Sequence, residues 1–219
     1  MGGWIVRHLV LRGEDPNNIR IIGRKPPSRE ELRSGPASHV GFVSADVRDL
    51  ESLRKAFLAS WPGDDKEKAT SGLTVFHAAA SMQYHERHTS LLSRSSEINV
   101  DGTRNSLAAA QEAGASVFVL TSSASVSVRP INHWVWPWQR RPKNLVQVVR
   151  DEPDDLRTKA SQFFSNYAYT KHLAEKVVRD ADSQEKGFRT GCLRPGGGIY
   201  GTGGDINIEA LLQGGVNPS

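Results

Sequence analysis

The stretch SNYAYTKHLAEKVV (Ser165–Val178) reads as one amphipathic helix. Ala174, Val177, Val178 and Ala181 follow the i, i+3, i+4, i+7 spacing of a buried stripe. Extended towards the N-terminus, that stripe takes in Lys171, Thr170 and Tyr167. A tyrosine and a lysine four residues apart therefore lie on the face that meets the core or a cleft. Lysine is almost never fully buried without a partner, so its place there calls for a chemical reason. The plain alternative is a core tyrosine beside a lysine that snorkels to water.

Outward from this helix the chain alternates. IRIIG (Ile19–Gly23), VGFVS (Val40–Ser44), LTVFH (Leu73–His77), SVFVLT (Ser116–Thr121) and RTGCLRP (Arg189–Pro195) are short apolar runs of strand type. Helical patterns fall at Gly3–Arg12, at Asp49–Ser60, and in a long region ending in NVDGTRNSLAAAQEAG (Asn99–Gly114). A last short helix is expected at Ile206–Gln213. Near-continuous apolar strands separated by helices predict a parallel sheet covered on both faces. Two segments break the rhythm. WPGDDKEKATSG (Trp61–Gly72) reads as a solvated loop. RPINHWVWPWQRRPKN (Arg129–Asn144) carries three tryptophans and four basic residues.

Composition narrows the class. The chain has 219 residues, enough for one sizeable domain, and a formal net charge of +4. The charges are scattered, so nucleic-acid binding is not expected. A single cysteine, Cys192, rules out an internal disulfide and fits a reducing compartment. It lies in an expected strand and reads as a small core residue. No apolar run reaches membrane-span length, and MGGWIVRHLV has no signal-peptide layout. Seven dispersed histidines offer no zinc spacing, so no metal is expected. No G-x-S-x-G elbow marks a hydrolase.

Six motifs now stand in order: ADVRD (Ala45–Asp49), VFHAAA (Val75–Ala80), INVDGTRNSLAAA (Ile98–Ala110), LTSSASV (Leu120–Val126), YAYTK (Tyr167–Lys171) and LRPGGGIYGTGG (Leu193–Gly204). Together they resemble the extended short-chain dehydrogenase/reductase superfamily, nearest to its 3β-hydroxysteroid dehydrogenase-like members. The resemblance covers essentially the whole chain. It implies an α/β fold, a Rossmann-like doubly wound parallel sheet, in a single domain over 1–219 with a Trp-rich insert at about 129–165. It also implies an NAD(P)-dependent oxidoreductase acting on a CH-OH or ketone group, plausibly of a steroid-like and hydrophobic small molecule.

The resemblance assigns roles residue by residue. Tyr167 would give or take the proton. A free tyrosine titrates near pH 10 (roughly) and is a poor base at neutral pH. A lysine one helical turn away stabilises the phenolate, so Lys171 would serve both that phenol and the nicotinamide ribose. Ser123 would hydrogen-bond the substrate oxygen, and Asn99 would anchor a water that relays protons to Lys171. Asp46 and Val47 would contact adenine. His77, with Ala79, would shape a turn beside the cofactor, and Pro195 would lie close by. The plain alternatives are a strand end at Ser123 and an ordinary helix residue at Asn99.

Cofactor choice rests on the end of the second family strand. NAD-preferring Rossmann proteins place an acid there to bind the ribose 2′-OH. Here Gly23 is followed by Arg24 and Lys25, which favours NADP(H) over NAD(H). The plain alternative is that Arg24 only begins a surface loop. The family opens with a strand and G-x-x-G-x-x-G, of which Gly2 matches the third glycine. The first strand, half of the phosphate cradle and most of the C-terminal substrate lobe are therefore expected to be absent. On that reading the chain is truncated at both ends and binds cofactor weakly or not at all.

Two other functions stay open at this point. One is a nucleotide-sugar epimerase or dehydratase of the same superfamily, and the other a truncated non-catalytic relative. The Trp134/Trp136/Trp138 segment suits a membrane surface, a lid over a hydrophobic substrate, or packing on the domain edge. The expected location is the cytoplasm, with peripheral contact at an internal membrane. The oligomeric state is left open.

Overall fold

The structure is a computed structural model and describes residues 1–28, 30–61, 72–83, 86, 88–131, 134–143, 145–148 and 157–196. The expected helix at Ile206–Gln213, the last part of LRPGGGIYGTGG and most of the Trp61–Gly72 loop lie outside the described residues.

Helix α1 (Gly2–Leu11) opens the chain and stops at Gly13, whose φ of +92° is easy only for glycine. Strand β1 (Arg20–Gly23) pairs in parallel with β2 (Gly41–Ser44). Helix α2 (Leu50–Leu58) follows β2. The Asp49 carboxylate caps it by accepting from the Glu51 and Ser52 amides at 3.0 and 3.2 Å. Its C-terminal end is held by Arg20, which donates to the carbonyls of Ala56 at 3.0 Å and Ser60 at 2.7 Å. The same guanidinium lies 4.1 Å from the centre of the Trp61 ring.

Strands β3 (Leu73–His77), β4 (Ala115–Thr121) and β5 (Arg189–Leu193) form a second parallel ladder in the order β3-β4-β5. Between β3 and β4 run a short helix α3 (Leu92–Ser96), one π-type turn (Glu97–Asp101) and α4 (Gly102–Glu112). Helix α5 (Asn166–Asp180) precedes β5, and the Ser165 hydroxyl caps it by accepting from the Ala168 amide at 3.2 Å. Parallel strands need such crossovers, and every strand lies within about three residues of its expected bounds.

The strands form two separate parallel ladders, β1-β2 and β3-β4-β5, as in the α/β folds whose strands are joined by helical crossovers. Among the described residues no strand lies between them, so the sheet is in two pieces. Packing by α2 and α4 holds the pieces together. Ala45, Leu53, Ala56 and Ala109 form the core under β1–β2, and Phe57 packs against both this cluster and the larger one. Arg54 on α2 donates twice to the Glu112 carboxylate on α4, each at 2.7 Å.

The larger core lies between β3–β5 and helices α4 and α5. Leu107, Ala110, Phe118, Leu120, Ala174, Val178 and Phe188 build it. Phe118, Leu120, Ala174 and Val178 are fully buried, and each of the larger side chains, Phe118, Leu120 and Val178, contributes roughly 1.5–3 kcal/mol by leaving water.

Candidate active site

The site forms where the parallel strands end at their C-terminal edge, the usual ligand crevice of an open α/β sheet. Helix α5 brings in Tyr167 and Lys171. Both face inward as the stripe predicts, 6% and 1% exposed. Thr170, between them, is also buried. Burial pushes the Lys171 ammonium down to about pH 8, with Glu175 one turn further along pulling in the opposite direction. A lysine so placed can be charged at neutral pH and still respond to small changes in its surroundings.

Asn99 is fully buried within the π-type turn. Its side-chain oxygen accepts from the Ser81 amide at 2.8 Å. Its amide group donates to the Ser81 carbonyl at 3.0 Å and to the Thr170 hydroxyl at 2.9 Å. One side chain thus ties the loop after β3 to the middle of α5, beside Lys171. A π-type turn is rare and, where it occurs inside a helix, falls frequently at functional sites.

His77 ends β3, is buried, and stacks on Phe118 with ring centres 5.6 Å apart. The Thr103 hydroxyl donates its one proton to the Asn99 carbonyl at 2.7 Å. It lies 3.2 Å from His77 Nε2, so Nε2 must carry the hydrogen and donate. Burial, with the Lys171 charge second, pushes the imidazole down to about 3. His77 is therefore neutral at physiological pH.

Ser123 follows β4. Its hydroxyl oxygen accepts from the Ser125 amide at 3.2 Å and the Ser125 hydroxyl at 2.9 Å, which leaves its own proton for another acceptor. The loop is pinned to the extension of β5: Ser122 donates its amide to the Leu193 carbonyl at 2.7 Å, and Ala124 to that of Pro195 at 2.9 Å.

The remaining candidates sit on the β1–β2 side or over the break. Arg24 is exposed directly after β1. Asp46 follows β2, and hydrogen bonds from Arg48 hold its carboxyl down at about 2, with a smaller contribution from the Arg24 charge. Val47 packs on Gly102, where a Cβ would stand 2.8 Å from Val47 Cγ2. The Val47 carbonyl accepts from Asn105 at 2.9 Å. The glycine and second asparagine of the N-V-x-G-T-x-N helix therefore hold the Asp46–Val47 turn against α4. Gly2, at the start of α1, lies beside Ala78, with a Cβ 3.6 Å from that of the alanine, next to the exposed Ala79.

The structure brings Tyr167, Lys171, Asn99, His77, Ser123 and Pro195 to one edge of the larger ladder. Arg24, Asp46 and Val47 lie on the smaller one, and Gly2 comes close to β3. Sequence reading missed Glu175 and Arg194. Glu175 is 1% exposed and receives both arms of the Arg194 guanidinium, at 2.8 and 2.7 Å. The spacing four residues beyond Lys171 is visible in the sequence, but the enclosing Arg194 is not.

Fold and motif order together place the chain in the short-chain dehydrogenase/reductase superfamily. The model of the 3-beta hydroxysteroid dehydrogenase/isomerase family matches residues 1–214. A 3-beta-hydroxysteroid dehydrogenase of Mycolicibacterium neoaurum is 32% identical over 97% of this chain and 48% of its own length. The human 3 beta-hydroxysteroid dehydrogenase type 7 is 29% identical over 98% of this chain and 51% of its own. Among solved structures, an NAD-bound short-chain dehydrogenase/reductase superfamily protein from Agrobacterium tumefaciens superposes with a TM-score of 0.55. It is 24% identical over 88% of this chain and 45% of its own. The chain belongs to the 3-beta hydroxysteroid dehydrogenase/isomerase family, and it spans about half the length of these relatives.

Proposed function

We propose that this protein is an NAD(P)-dependent dehydrogenase acting on a secondary alcohol or ketone of a steroid-like substrate. The observation that carries the reading is the buried Tyr167–Lys171 pair on α5. In this reading Tyr167 takes the hydroxyl proton of the substrate, and the Lys171 ammonium stabilises the phenolate. The Ser123 proton meets the developing charge on the substrate oxygen. Asn99 holds the Ser81 loop and α5 together and orders the water through which Lys171 exchanges protons. A bound nicotinamide would supply the hydride acceptor.

The residues at hand fit such a cofactor. Lys171 offers a buried cation, His77 is neutral, and Ala79 and Ala80 leave small exposed surface beside the start of α1. Gly2, Asp46, Val47, Ala79, His77, Lys171 and Pro195 would hold it. Arg24 and Lys25 are both exposed, and no acid ends β1, which favours the 2′-phosphate of NADP(H).

The tryptophan segment supports contact with a membrane surface, where a sterol substrate would be met. Trp134 and Trp138 are 66% and 75% exposed, and Trp136 stacks on Trp138 at 5.2 Å. Arg140, Arg141 and Lys143 follow, all exposed, with no acid between 134 and 143. Aromatic side chains beside cations suit an anionic lipid interface. Among the described residues no helix is long and apolar enough to cross a membrane.

The test is titration of the folded chain with NADPH and NADH up to millimolar concentration, following thermal stability. A ligand that binds only the native state raises stability by mass action. The reading predicts a saturable rise, larger for NADPH, with the preference reduced in Arg24→Glu. It also predicts NADP-linked oxidation of 3β-hydroxysteroids that is lost in Tyr167→Phe. No rise with either cofactor would overturn it for this chain and favour the non-catalytic relative.

A further inference from the structure

Helix α5 carries a second buried charge that the proposed chemistry leaves unused. Glu175 lies one turn beyond Lys171, and both are 1% exposed. A buried carboxylate is costly unless fully paired, and this one is. Arg194 Nε donates to Oε1 at 2.8 Å and Nη2 to Oε2 at 2.7 Å, while Arg179 donates to Oε2 at 2.8 Å. Arg194 is only 14% exposed and sits directly after β5. It also donates to the Ser127 hydroxyl at 3.3 Å, in the loop that carries Ser123.

We propose that Glu175 is a positioning residue for the catalytic pair: its charge keeps Lys171 in the ammonium form, and its bidentate clasp on Arg194 fixes α5 against the Ser123 loop. This rests on the reading of Lys171 as partner of Tyr167. A clasp formed only for packing would not require a carboxylate on the lysine's side of the helix. Among the described residues, the other titratable groups near Lys171 are Tyr167 on α5, His77 on β3 and Cys192 on β5. His77 is neutral at physiological pH, and burial pushes the Cys192 thiol up to about 11, so it too is neutral. With His77 and Cys192 uncharged, Glu175 is the carboxylate that acts on Lys171. Burial favours its acid form, but Arg194, the Ser122 hydroxyl and Arg179 together outweigh it and hold the carboxylate ionised.

The experiment reads Lys171 directly, with neither cofactor nor turnover, so failure of the dehydrogenase reading leaves its result intact. Lysines are labelled with 13C at Cε, the Lys171 signal is assigned with Lys171→Arg, and its shift is followed against pH. Glu175→Gln keeps the size and removes the charge. The Lys171 midpoint should fall by roughly one pH unit, a tenfold change in its ionisation constant. A second variant guards against a fold that fails. Arg179→Met removes a half-exposed cation from Glu175 and should raise the midpoint instead. A folded Glu175→Gln with an unmoved midpoint would reduce Glu175 to a packing role and overturn the proposal. So would an unmoved or lowered midpoint in Arg179→Met.

Discussion

Replacing Lys171 with methionine should make the protein more stable. The native lysine is held down at about pH 8 against an ordinary value of 10.5, chiefly by burial. At about 1.4 kcal/mol per pH unit, that depression corresponds to about 3 kcal/mol of burial penalty on the charged form. Methionine fills a similar volume without a charge. Glu175 keeps Arg194 and Arg179, so the substitution orphans no buried anion.

The pH dependence carries the stronger test. Between about 8 and 10.5 the unfolded chain binds more protons at Lys171 than the folded one, so this group's contribution to stability rises with pH. The advantage of Lys171→Met should be greatest below pH 8 and vanish above 10.5. Urea denaturation of both proteins at several pH values gives the difference, in which Cys192 and other titrations common to both cancel. A variant no more stable at pH 7, or a gap that does not close towards pH 10.5, would refute the reasoning. Under the proposed function, activity should be lost throughout, because the buried charge that costs stability is the one assigned to the phenolate.

Gly102→Ala should cost about 1–2 kcal/mol, since overpacking against the stiff Val47 side chain outweighs the helix propensity of alanine. Val47→Ala in the same chain should restore part of it in denaturant titrations. His77 should show no titration midpoint above pH 5 in 15N NMR and should carry its hydrogen on Nε2. With its folded value lowered to about 3, the unfolded chain protonates first on acidification, so His77 makes stability fall as pH drops below about 6.5. A midpoint near 6.5, or hydrogen on Nδ1, would contradict the buried geometry.

Much of the fold was legible because its signals are local. The apolar runs at 20–23, 41–44, 73–77, 115–121 and 189–193 are strands, and Asp49 caps its helix, since periodicity and capping depend on neighbours within a turn. The inward face of α5 followed from spacing alone, which placed Tyr167 and Lys171 before any contact was known. Order of motifs along the chain was enough to assign the superfamily.

Other features depend on residues far apart in sequence. The clasp of Asn99 on Ser81 and Thr170 spans 71 residues at its longest, and no local pattern announces it. The protonation state of His77 needed Thr103 and the Asn99 carbonyl. Glu175 looked like any helix acid until Arg194, 19 residues on, was seen to enclose it. The division is physical. Secondary structure and the inward face of a helix are fixed by short-range sterics and hydrophobic spacing, which the sequence carries openly. The charge of a buried lysine depends on what is excluded around it and which distant groups are packed beside it, and only the tertiary structure decides that.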